Sequence, residues 1–248
     1  MNPQLIKDEY ATPIKIASGN QGSETQLQEY NWKFSPFIYA TSTHPIVKNM
    51  EGIKFEFSNP IELLKNKVKK TVLLSSSEYS KPIGTPTPIS LELVTEETTP
   101  EEYAGKGLLP VAVMMEGKFN SAYQNRVLPF ADKTFQSVGK ETKMIIISDG
   151  DVIKNQLDKG MPLELGFDKW TNQLYGNKEF LLNCVNYLLD DNGLINIRSK
   201  DVDLPLLNKE EVYANYTSAQ LITVGLPIVI LAIFGFLFTF LRKKRYSR

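Results

Sequence analysis

One cysteine and one histidine are all this chain offers to soft metals or to a nucleophile–base pair. A single Cys184 excludes an intramolecular disulfide, which suits the cytosol and equally a bacterial periplasmic domain held by its core alone. With His44 as the sole imidazole, zinc sites built from His and Cys are nearly excluded, and no metal or other cofactor is expected. The phosphate-binding pattern G-x-x-x-x-G-K-[ST] is missing; Gly139-Lys140-Glu141 lacks both the upstream glycine and the hydroxyl. The chain therefore should not hydrolyse ATP itself. No G-x-S-x-G elbow occurs, and His44 has no evident Ser or Cys partner. The start, MNPQLIKDEYATPIKIASGN, has neither a basic n-region nor an apolar h-region, so it does not read as a signal peptide. Nor is there a charge excess: Lys+Arg and Asp+Glu both number 28. The basic residues gathered at 242–248 leave the remainder mildly acidic, which argues against nucleic-acid binding.

What is present is a long apolar run. Leu221 to Leu241 contains no charged residue and has about the length, ~20 residues, that a helix needs to cross a bilayer. Arg242, Lys243, Lys244 and Arg245 follow at once, whereas 208–220 carries only Lys209, Glu210 and Glu211. By the positive-inside rule the tail 242–248 stays in the cytoplasm and everything before Leu221 lies outside it. A chain with this anchor and no export signal would leave its first domain inside the cell. The expectation that reconciles the two is a C-terminal part of a longer protein whose N-terminal part handles export. The expected organisation is an extracytoplasmic domain over 1–207, a linker over 208–220, a membrane helix over 221–241 and a cytoplasmic tail. With no ionisable residue inside, the helix alone cannot line an ion path, and Pro227 is expected to kink it.

Residues 2–10 read as the end of a helix or loop, Ile14–Ile16 as a short strand, and SGNQGS at 18–23 as a turn. Ile53-Lys54-Phe55-Glu56-Phe57 alternates as a half-buried strand does. Pro60–Leu64 then predicts a short helix. Three apolar runs read as central strands, at Thr71–Ser75, Leu109–Met115 and Lys143–Ser148. Between the first two, the Pro-rich 80–99 segment with its run Thr95-Glu96-Glu97-Thr98-Thr99 is the best candidate for mobility. Phe180, Leu181, Cys184, Val185 and Leu188 form a helical stripe, with Cys184 a core residue, and Ile195 and Ile197 suggest an edge strand. Strands alternating with helices predict an α/β domain, three-layer, with a mainly parallel sheet.

In such sheets functional loops gather at the strands' carboxyl ends. That makes Ser76, Glu116, Asp149, Asp151 and Asn177 the candidate ligand- or partner-binding residues. Asp149-Gly150-Asp151 is the most chemistry-like spot, because two carboxylates flanking a glycine could hold a cation or act as acid and base. The plainer reading is a tight turn in which Asp151 caps the next helix, and Asn177 a cap of the helix after it.

Several pieces together resemble a known family. They are Asn2-Pro3-Gln4-Leu5-Ile6, His44-Pro45-Ile46-Val47, the run from Lys70 to Ser77, and Ile147-Ser148-Asp149-Gly150-Asp151. The closing pieces are the run from Gly176 to Asn183 and Ile197-Arg198-Ser199-Lys200. Their ensemble is similar to the C-terminal half of the GldG family, gliding-motility-associated auxiliary proteins of an ABC transporter in Bacteroidetes. The resemblance implies a glutamine-amidotransferase-like α/β region outside the cytoplasmic membrane of the bacterium. The amidotransferases' cysteine in a sharp strand-to-helix turn has no counterpart here, so their activity is not implied. It implies a non-catalytic accessory or substrate-binding subunit, partnered by an ABC ATPase subunit and a polytopic permease subunit. Two other readings stay open: a structural envelope anchor, and a membrane-bound hydrolase using Asp149 and Asp151.

Overall fold

A computed structural model describes residues 3–21, 24–40, 42–129, 134–190, 192–195, 213 and 216–246. The chain separates into two compact units, Met1–Lys200 and Asp201–Arg248.

In the first unit the described strands all pair antiparallel. β1 (Gln4–Asp8) lies beside β6 (Ser80–Gly84). β2 (Ala11–Gln21) and β3 (Glu24–Ile38) form a long hairpin, and the end of β3 pairs with the two-residue β4 (Ile53–Lys54). A third sheet runs β5-β7-β8, with β5 at Lys69–Ser75, β7 at Pro110–Asn120 and β8 at Val138–Ile147. Two small hairpins follow, β9–β10 (Leu157–Asp158, Met161–Pro162) and β11–β12 (Phe167–Asp168, Gln173–Leu174). α1 (Pro100–Tyr103) is a single turn and α2 (Asn177–Leu189) the one long helix described in this unit.

The mainly parallel, three-layer sheet expected from the strand pattern is therefore corrected. A parallel neighbour needs a crossover of a dozen or more residues, usually helical. Here β5 reaches β7 through β6, a 3-10 helix at Leu91–Thr95 and the single-turn α1, none of them a helix long enough to cover the sheet. β7 returns to β8 without a helix among the described residues. The pairings Ser75↔Pro110 and Lys69↔Glu116 run the chain back on itself. The predicted helix at Pro60–Leu64 is also absent: the Ile61 N–H bonds the Pro110 carbonyl at 2.8 Å instead of an upstream turn. Ser18–Gln21 extends β2 rather than turning, and residues 4–8 form β1 rather than a helix end.

The core joins the β5-β7-β8 sheet to α2 and to the turn after His44. Ile46, Ile53, Phe55, Leu74, Met114 and Phe180 are buried in it. Cys184 sits there too, and burial pushes its thiol up to about 12, so it stays protonated and unreactive. The acidic-threonine run, expected to be the most mobile stretch, is tied down. Buried Lys33 donates to the Glu96 carbonyl at 2.7 Å and to Thr98 Oγ1 at 2.9 Å, and pairs with Glu9 at 2.8 Å. Buried Lys7 pairs with Glu96 at 2.6 Å. Ile195 lies in a short 3-10 turn, its N–H on Asp190 Oδ2 at 2.9 Å, not in an edge strand. Asn2, Ile197, the Arg198–Lys200 piece and most of the 208–220 linker fall outside the described residues.

In the second unit, Tyr216–Arg245 is one helix long and apolar enough to cross a membrane. None of its apolar stretch is buried in the protein, which separates it from the core helix of a soluble domain. Leu221–Gly225 widens into a π-helical turn just ahead of Pro227. Proline lacks an N–H and its ring crowds the carbonyl four residues back, and a wider turn relieves both problems.

Candidate functional site

Three of the five residues singled out in the sequence come together. Asp149, Asp151 and Asn177 line a crevice of about 130 Å³, with Lys54, Glu56 and Asp168. Asp149 follows the end of β8. Its Oδ2 accepts the Glu56 N–H at 2.7 Å and its Oδ1 the Asp151 N–H at 2.7 Å. Burial raises its pKa, more than these two hydrogen bonds lower it. Asp151 opens a 3-10 turn and sits 3.4 Å from Lys154, with both side chains exposed. The capping roles thus differ from the expected ones: Asp149, not Asp151, receives the backbone donors.

Asn177 starts α2 but does not cap it. Its Oδ1 accepts the Lys54 N–H at 3.0 Å, while its Nδ2 donates to the carbonyls of Lys54, at 2.8 Å, and Val152, at 3.3 Å. β4 is only two residues long, so this side chain supplies the partner that a neighbouring strand would otherwise give. Asn177→Ala strands one donor and two acceptors in a buried site, with an expected loss of about 2–4 kcal/mol. A thermal melt of the full chain in nanodiscs checks this, and a loss below about 1 kcal/mol contradicts it.

Ser76 and Glu116 lie elsewhere. Buried Ser76 accepts the Leu109 N–H at 2.9 Å and shares a 2.7 Å hydrogen bond with Ser80, stitching β5 to its neighbours. Glu116 sits well along β7, opposite the start of β5, paired with Lys69 at 2.9 Å and touched by Tyr187 at 3.3 Å. β7 runs opposite to β5 and β8, so Glu116 lies toward the far edge of the sheet from Asp149. Ser76 shares the Asp149 edge but is turned into its contacts with Leu109 and Ser80.

The centre of the site was not among the sequence candidates. Lys54 Nζ stands 2.8 Å from Asp168 Oδ2 and 2.9 Å from Glu56 Oε1. Asp168 is buried, and its Oδ1 takes the Trp170 N–H at 2.9 Å. Burial by itself would raise this carboxyl; the Lys54 ammonium and the backbone donors outweigh it and hold the pKa below the usual range. Beyond this cluster opens a larger cleft of about 1020 Å³. Six successive residues of β2, Thr12–Ala17, form one side; Trp32, Phe57, Leu157 and Trp170 supply apolar surface. Phe57 adopts φ +50°, a conformation a bulky side chain rarely takes. A 2.8 Å hydrogen bond from its N–H to the Phe34 carbonyl and ring contacts with Trp32 and Phe34 hold it there. Among the described residues no cluster of His, Cys, Asp and Glu could hold a metal ion.

Residues 1–184 match the family model of an ABC-type uncharacterized transport system. That is most of the 248-residue chain and every strand that lines the crevice and the cleft. The chain belongs to the ABC-transporter auxiliary family. No curated protein and no solved structure matches it. The cleft is roomy and lined by both apolar and charged groups, features that ligand sites share. The signal that could have located it was the strict alternation at 53–57, which puts Lys54 and Glu56 on one face. Asp168 and Trp170, more than a hundred residues later, carried no local pattern.

Proposed function

We propose that this chain is a non-catalytic, membrane-anchored accessory or substrate-binding subunit of an ABC transporter linked to gliding motility, of the GldG kind found in Bacteroidetes. The family match over 1–184 carries the reading. The first unit faces the periplasm, the apolar helix anchors it in the bacterial inner membrane, and the basic end lies in the cytoplasm. The exposed apolar helix and the Arg242–Arg245 run behind it support this orientation. An ABC ATPase subunit and a polytopic permease subunit complete the system, because this chain has no phosphate-binding loop. The use of both Asp149 oxygens as acceptors for backbone N–H groups supports a role without catalysis.

A reporter active only in the periplasm, fused just before Ser218 in the intact gene and expressed in its own cell, tests the placement. Periplasmic signal is the expected result. Signal only from a cytoplasm-active reporter at the same point overturns the outward-facing reading.

A further inference from the structure

β2 has an open edge, and the larger cleft runs along it. Among the described residues β2 pairs with β3 and with no other strand. A cavity lying on one face of a strand touches alternate residues, because successive side chains point to opposite faces. This cleft touches Thr12 through Ala17 without a gap, so it reaches the edge, where the unpaired N–H and C=O groups are, as well as extending over the hairpin to Trp32 and Ser35 of β3. Six residues of strand span about 20 Å. Pro13, which removes one donor, fits an edge strand, and register shifts at Ala11/Pro13 and Ala17/Gly19 bracket the regular run.

Across from that edge stand apolar groups with no cover of their own. Leu157 is 55% exposed, Leu91 59% and Trp170 68%. The charges are uneven as well: Lys15, Lys54, Lys154 and Lys169 line the cleft against Glu56 and Asp168. Lys54 is matched by those two carboxylates. Lys15 and Lys154 sit 3.5 and 3.4 Å from Glu29 and Asp151, surface pairs that cost little to exchange for another carboxylate. Lys169 places its ammonium on the Leu157 carbonyl at 2.7 Å and 5.0 Å from the centre of the Trp170 ring.

We propose that this cleft binds an extended acidic peptide segment, which adds as a strand to the free edge of β2. The peptide's backbone pairs with Thr12–Ala17. Apolar side chains on one face of the peptide cover Leu157 and Trp170, and carboxylates at its other positions meet Lys15 and Lys154. Main-chain pairing of this kind supplies affinity, and the pockets for alternate side chains supply selectivity. The proposal deepens the substrate-binding reading and rests on it.

The chain's two tryptophans, Trp32 and Trp170, both line the cleft, so its intrinsic fluorescence reports on this site. The full chain in nanodiscs is titrated with a synthetic octapeptide library in which Val, Ile or Leu alternates with Asp or Glu. At least one peptide is expected to shift the emission saturably, with a Kd below about 100 µM. N-methylation of its alternate edge-facing amides is expected to weaken binding by about tenfold or more, since it removes the strand donors without altering the protein. Equal binding of the N-methylated peptide, or of a Lys-for-Glu counterpart, overturns the proposal. So does a library that gives no saturable change, including the case in which dodecanoate alone saturates the signal. Loss of peptide binding with retained co-purification of transporter subunits would sink this inference and leave the accessory role standing.

Discussion

Lys54→Met is expected to lower the stability of the first unit by about 3–5 kcal/mol, because it leaves the Asp168 carboxylate buried without its counter-charge. The ammonium lies 2.8 Å from Asp168 and 2.9 Å from Glu56, and neither Lys54 nor Asp168 is open to water for most of its surface. Adding Asp168→Asn to that variant should recover at least half of the loss. The amide keeps an oxygen for the Trp170 N–H and carries no charge to be stranded. Thermal unfolding of the wild type and the three variants forms a double-mutant cycle; additive losses would show that the pair is not coupled. The pH dependence has a fixed sign. Asp168 is held below its ordinary value of 3.8, so its contribution is present above that pH and lost as pH falls through the lower folded-state pKa. For Lys54, burial lowers the pKa but the two carboxylates raise it more, to a net value above 10.5. Its contribution is present below 10.5 and lost as pH rises through the higher folded-state value. Pair-dependent stability should therefore plateau between these limits and fall at both ends, and the cycle should flatten in Lys54→Met/Asp168→Asn.

Phe180→Ala is the second large effect, about 3–5 kcal/mol, from lost burial plus the cavity left behind. The ring is fully buried in the core that holds Ile46, Ile53, Phe55 and Met114, and it fixes α2 to them. α2 in turn delivers Asn177 to the backbone of Lys54, so loosening the helix should also loosen the charged cluster. Leu182→Ala on the same helix is the control: its side chain is 54% exposed, and a change within about 0.5 kcal/mol is expected. Equal losses at the two positions would mean that α2 packs by another face.

The helix was legible because a 3.6-residue stripe is a local signal. Phe180 and Cys184 are buried as that stripe requires, though Val185 and Leu188 at its margin remain exposed. The strands β5, β7 and β8 were legible as apolar runs for a similar reason. Their direction was not, since an apolar run reads the same whichever way its neighbour points. Connections set direction, and those between these strands contain no crossover helix among the described residues. The β2–β3 hairpin was hidden by composition. Ala17 to Gln28 is polar or small at most positions and Leu27 is exposed, so no alternation marks a buried face. The site followed the same division. Asp149, Asp151 and Asn177 were visible as turn and helix-start residues and do converge. Lys54 meets Asp168 across 114 positions, and β2 comes to share a cleft with Trp170 across still more, proximities that only the closed fold makes.

The central claim is that this chain works as one part of an ABC transport system. The most direct test is to tag it in its own cell, extract it in mild detergent and identify what co-purifies in fixed ratio. An ATPase with a phosphate-binding loop and a polytopic membrane subunit are the expected partners, both released when residues 216–246 are deleted. Purification of the intact, membrane-embedded chain with neither subunit, from cells in which both are present, would contradict the account.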